Sequence, residues 1–205
     1  MKRSTLIALK TLVWIACLVP FGFLVWGAVT NNLGPDATAE IANTTGLSAL
    51  WMLAITLTIS PVRRLSIHLA WLIRFRRLMG LFVFFYASLH VLTWLALYNN
   101  FSIRSMLDDV TKRRFVMAGM GTYLLLLPLA LTSTNWAIRK LGGKNWTRLH
   151  WLIYPAAICA TIHYWWKVKT GVLEPAPYTL VVLVLLLARP VMAWSKRRRA
   201  RTVSV

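Results

Sequence analysis

Carboxylates are nearly missing from this chain: Asp36, Glu40, Asp108, Asp109 and Glu174 are the only five, against 24 lysines and arginines. All five lie outside the long uncharged stretches of the sequence, so those stretches lack the Asp/Glu relay on which proton-coupled pumps and transporters usually depend. A nucleophile motif and a phosphate-cradling glycine loop are also missing, which leaves hydrolysis and phosphoryl transfer without machinery. Cysteine is scarce. Cys17 and Cys159 both fall in apolar runs, which argues against a disulfide. Charged residues of either sign make up 14% of the 205 positions while hydrophobic residues make up 58%, a balance that a soluble core with a solvated surface does not accommodate.

What is present is long uncharged sequence. A membrane-spanning helix needs roughly 20 mostly apolar residues, and reading between charged residues finds six such runs: Thr11 to Pro35, Ile41 to Val62, Leu78 to Ile103, Phe115 to Ile138, Leu149 to Trp166, and Pro175 to Trp194. The last contains Arg189 near its end, where a long side chain can snorkel to the headgroups. The expected fold class is all-α: a polytopic membrane helical bundle of six transmembrane helices, spanning about residues 11–30, 44–62, 78–98, 115–134, 149–167 and 176–194. Connections are short, with no Pro/Gly/Ser-rich linker and no obvious repeat, so residues 1–205 read as a single transmembrane domain. The N-terminal basic stretch before an apolar run has the form of a signal peptide, but the run is long and no small-x-small site follows, so it reads as a retained helix.

The net charge of +19 flanks the spans and does not form a nucleic-acid footprint. With the N-terminus inside, the inside segments hold Lys2, Arg3, Lys10, Arg63, Arg64, Arg74, Arg76, Arg77, Arg139, Lys140, Lys144, Arg148, Lys196 to Arg199 and Arg201, while all five acids fall outside. The positive-inside rule then places both termini in the cytoplasm. Membrane lipid is the partner this pattern fits. Trp26, Tyr98, Trp165 and Trp166 stand at span ends, where an aromatic belt is expected. The outside segment from Asn99 to Arg114 mixes charges with apolar residues and is a candidate docking element.

Histidine is the one side chain with chemistry left inside the spans. His90 lies in the third, and His150 and His163 in the fifth; an imidazole in hydrocarbon needs partners for its nitrogens. Counted from the inner ends of their runs, His90 is 12 residues in and His163 is 14, about 18 and 21 Å at 1.5 Å per residue, hence nearly level. They suit the two axial positions of one haem iron. His150 lies about 20 Å from His163 along the axis, near the inner surface, where a second redox centre fits. Thirteen residues at 100° each do not return to one face, so Pro155 is expected to kink the helix between them. His150 lacks an evident partner: Arg76 and Arg77 stand where one is needed, and His68 and Met79 are the remaining candidates. No Cys-x-x-Cys-His occurs, so any haem is b-type and not covalently attached.

Three segments carry a resemblance: RFRRLMGLFVFFYASLH from Arg74 to His90, LALTSTNWAIRKLGGKNWTRLHWLIYPA from Leu129 to Ala156, and IHYWWKVK from Ile162 to Lys169. Together they make the chain similar to the MsrQ (YedZ) family, the haem-binding membrane subunits of bacterial periplasmic methionine sulfoxide reductase systems, within the ferric reductase and NADPH oxidase transmembrane superfamily. The resemblance covers nearly the whole chain. It implies haem b, one or two per chain, held by His90, His150 and His163, with FMN as a further cofactor. It also implies a bacterial inner membrane location and electrons drawn from the quinone pool or a cytoplasmic flavin reductase. Their destination would be a soluble periplasmic molybdopterin subunit, MsrP, which reduces oxidised methionines, so the reductase active site would belong to that partner. In the superfamily the third-helix histidine pair is complete, whereas here only its outer member, His90, is present. Two neutral imidazoles leave no open iron position, which suits electron transfer and not oxygen activation. A stand-alone ferric reductase, and a haem-free assembly or transport protein in which the histidines only bond across helices, are the competing readings.

Overall fold

The computed structural model describes residues 3–168 and 173–188. Among them every regular element is helical. Helix α1 (Arg3–Val29) is followed by α2 (Ala37–Leu65), which starts on an Asp36 cap whose carboxylate accepts from the Ala39 amide at 2.9 Å. Glu40 in its first turn and Arg63 and Arg64 in its last complement the helix dipole. A nine-residue 3-10 helix (Ile67–Phe75), α3 (Arg76–Thr93) and a π-helical turn (Trp94–Tyr98) then form one 32-residue apolar rod. Next come α4 (Ile103–Lys112), α5 (Arg114–Leu131), the short α6 (Asn135–Leu141) and α7 (Gly143–Leu149), a 3-10 turn (His150–Leu152), α8 (Ile153–Lys167) and α9 (Pro175–Ala188).

Four of these stretches are long and apolar enough to cross a membrane: Arg3–Val29, Ala37–Arg64, Ile67–Tyr98 and Arg114–Leu131. They overlap the first four expected spans, the third starting at Ile67 and not at residue 78. The fifth expected span is not one regular helix, because it divides into the end of α7, the 3-10 turn and the 15-residue α8. The sixth is helical from Pro175 to Ala188, and its remainder, with Arg189, lies outside the described residues.

Two cores hold the helices together. One joins α2, α3, α5, α8 and α9 through Leu53, Leu57, Val83, Leu126, Leu129, Ile153, Ala156, Ala157 and Val182. Ala156 and Ala157 are completely buried, and such small residues let α8 approach α5 closely. The other core seats α1 against α2 and α3 through Cys17, Ile59, Phe75, Met79, Phe82 and Tyr86. Pro20 interrupts the backbone ladder of α1, and the fully buried Tyr86 repairs it. Its hydroxyl donates to the Cys17 carbonyl at 2.5 Å and accepts from the Phe21 amide at 3.3 Å.

The connection between α3 and α5 is tightly built. The Asp109 carboxylate, one turn from the end of α4, accepts from Trp94 Nε1 at 3.1 Å and Asn99 Nδ2 at 3.3 Å and pairs with Arg113 at 3.1 Å. It ties α4 to the π-helical end of the rod that carries His90.

Candidate functional site

The structure brings His90 and His163 together. Their ring centroids are 5.9 Å apart and their planes stand at 83°. Each ring is held through Nδ1 by a main-chain carbonyl of another helix: His90 by Ala42 O of α2 at 2.9 Å, with Thr45 Oγ1 at 3.4 Å, and His163 by Phe115 O of α5 at 2.6 Å. A carbonyl can only accept, so Nδ1 carries the proton in both rings and the lone pair is on Nε2. That is the orientation second-shell carbonyls impose on metal-ligating imidazoles.

Distance supports the same chemistry. Two metal–imidazole bonds of about 2 Å, with about 1.2 Å from each nitrogen to its ring centre, set the centroids of two axial imidazoles about 6.4 Å apart. The observed 5.9 Å is within a small side-chain adjustment of that value. The pair therefore fits the axial ligand set of a haem, with both second-shell anchors already in place. The ammonium of Lys167, one helical turn beyond His163, is close enough to act electrostatically on both rings. It is tethered to Asn43 Oδ1 at 2.5 Å.

His150 lies apart from this pair. Its Nδ1 is bonded to Trp146 O at 3.0 Å, and its ring stacks on the Trp146 indole with centroids 3.8 Å apart. Nε2 is buried with no hydrogen-bond partner. Neither candidate partner faces it with a free donor. Met79 packs its sulfur on Cys17 at 3.8 Å in the α1-side core, and His68 is exposed on the 3-10 helix. Pro155 acts one turn earlier than a kink at its own position would. It occupies the first turn of α8, where a proline is tolerated. Because it offers no amide and crowds the carbonyl four residues back, the preceding His150–Leu152 turn is 3-10.

Sequence reasoning missed the support residues. Gly46 faces the His90 ring and Gly119 faces the His163 ring. The available signal was glycine inside an apolar run, alone at Gly46 and one of two, with Gly121, at Gly119, which marks close approach of another group.

Comparison with known proteins bears on what this site serves. Residues 45–161 match the family described as the ferric reductase like transmembrane component. The chain is similar to the protein-methionine-sulfoxide reductase heme-binding subunit MsrQ of Herminiimonas arsenicoxydans, at 44% identity over 193 residues, 93% of this chain and 88% of that protein. Proteins with the same description from Xanthomonas euvesicatoria pv. vesicatoria, 43% identical over 99% of this chain and 94% of theirs, and from Ralstonia nicotianae, 39% identical over 96% and 91%, resemble it along the same length.

Proposed function

The chain belongs to the ferric reductase-like transmembrane family, as one of its MsrQ-type members, and from this premise we propose that it is a haem b-carrying electron-transfer subunit of a methionine sulfoxide reductase system. The observation that carries the reading is the facing pair His90 and His163, 5.9 Å apart with both Nδ1 atoms tied to carbonyls. These two residues hold the haem, and His150, with its unmet Nε2, offers a single-imidazole position for a second group nearer the inner surface. Haem supplies one-electron chemistry. The protein's part would be to fix both imidazole tautomers, offer both imidazoles to the iron and hold the ammonium of Lys167 near the rings.

In this reading six helices span the bacterial inner membrane with both termini in the cytoplasm, as the flanking cations support. Electrons enter from the quinone pool or a cytoplasmic flavin reductase, with FMN as an accessory cofactor, and leave to a periplasmic molybdopterin reductase. The reductase named in the relatives' descriptions supports such a partner. The test is haem content of the purified chain and its variants. His90→Ala and His163→Ala should each abolish the bis-imidazole low-spin spectrum, while His68→Ala should leave it intact. A spectrum unchanged in both single variants would sink the assignment.

A further inference from the structure

The two imidazoles are held in the same way. In each half of the site 48 residues separate the histidine from its carbonyl partner, and the glycine under each ring is four residues after that carbonyl. A constant offset of 73 residues relates the halves, from Ala42 to Phe115, Gly46 to Gly119 and His90 to His163. The same offset pairs Leu53 with Leu126 and Val83 with Ala156, all four in one core cluster. The helix pairs α2/α3 and α5/α8, each closely packed, are thus equivalent units meeting at the site, a repeat that few identical residues advertise. Chemically the repeat breaks at one place. Arg77 is the counterpart of His150, so the inner level has one imidazole where the outer has two.

Within this repeat the glycines have a defined task. A Cβ on Gly119 would stand 2.7 Å from His163 Nδ1 and 2.9 Å from its Cε1. On Gly46 it would stand 3.1 Å from both Nδ1 and Cε1 of His90. In each case the intruding atom meets the nitrogen that bonds the carbonyl one turn earlier. At Gly119 the ring must shift off that bond, whereas at Gly46 it must give by a few tenths of an ångström. We infer that Gly46 and Gly119 are paired positioning residues: by presenting bare backbone, they let each imidazole seat on its carbonyl and so fix the ring planes close to perpendicular. The inference rests on the haem reading above. It adds an ordering, since the shorter contact makes Gly119 the less tolerant of the two.

The test uses the full chain purified in detergent, with pyridine haemochrome quantification and the electron paramagnetic resonance signal of the ferric protein. Perpendicular axial imidazoles give a strongly anisotropic low-spin signal, and rotation of one ring reduces that anisotropy. Gly119→Ala should lower haem retention about tenfold or more, as loss of second-shell support typically does, and shift the signal of whatever haem remains. Gly46→Ala should keep most of the haem and show a smaller shift. Gly121→Ala, on the same helix as Gly119 but with nothing within 4 Å of its added Cβ, should match the parent in both readouts and so controls for folding of α5. If Gly119→Ala does not accumulate, Gly46→Ala still decides, because a parental signal from that variant overturns the inference. A parental signal and haem content in Gly119→Ala also overturns it, whereas a parent chain that never carries haem overturns the underlying reading instead.

Discussion

For single residues, function depends on where side-chain protons sit. His90 and His163 were legible as a level pair because a helix rises by a constant amount per residue, so counting from the run ends suffices. Their anchors were not legible, since Ala42 O and Phe115 O are backbone atoms on other helices and leave no mark in the sequence. Lys167 has a consequence of its own. An ammonium near both rings favours the reduced haem, so Lys167→Gln should weaken reduction by about tenfold, about 59 mV toward negative potential for one electron. Lys167→Arg should restore it, and a spectroelectrochemical titration reads both. Tyr86 illustrates a residue whose role no pattern announces. Its hydroxyl satisfies two backbone groups of α1 beside Pro20, so Tyr86→Phe should destabilise the protein by about 1–3 kcal/mol. A thermal melt in detergent showing no change would contradict that role.

Among the elements, the first four apolar runs became long helices because nothing in them competes with helix formation except Pro20, Pro61 and Pro128, and Pro61 and Pro128 lie within the last turn or so of their helices. The fifth run is less regular than its length suggests, because Pro155 converts the preceding turn to 3-10 and a separate short helix, α7, carries the approach to His150. The charged segment from Asn99 to Arg114, given from sequence only as a candidate docking element, is built around the capped helix α4. Its attachment through Asp109 predicts that Asp109→Ala will speed amide hydrogen exchange across residues 99–112. Arg104→Ala, an exposed change on the same helix, should not. Equal exchange in the two variants would show that Asp109 is not the tether.

For the molecule as a whole, the all-helical, apolar character was legible from composition, but the repeat was not. Equivalent positions carry different residues, as with Val83 and Ala156 or Arg77 and His150, because packing in a bundle demands complementary volumes and not identical ones. The arrangement places one two-imidazole site where two helix pairs meet. It also predicts sidedness. Single cysteines introduced at Asp108 and at Arg139 of a cysteine-free chain should be labelled from opposite faces of the membrane by an impermeant maleimide, and labelling from the same face would overturn the six-span topology. The central claim is that this bundle holds b-type haem between His90 and His163. Its most direct test is a reduced-minus-oxidised absorption spectrum of the purified chain with haem quantified against protein. A b-type difference spectrum with at least one haem per chain, lost in His163→Ala, is expected. A colourless protein after haem-supplemented expression would contradict it.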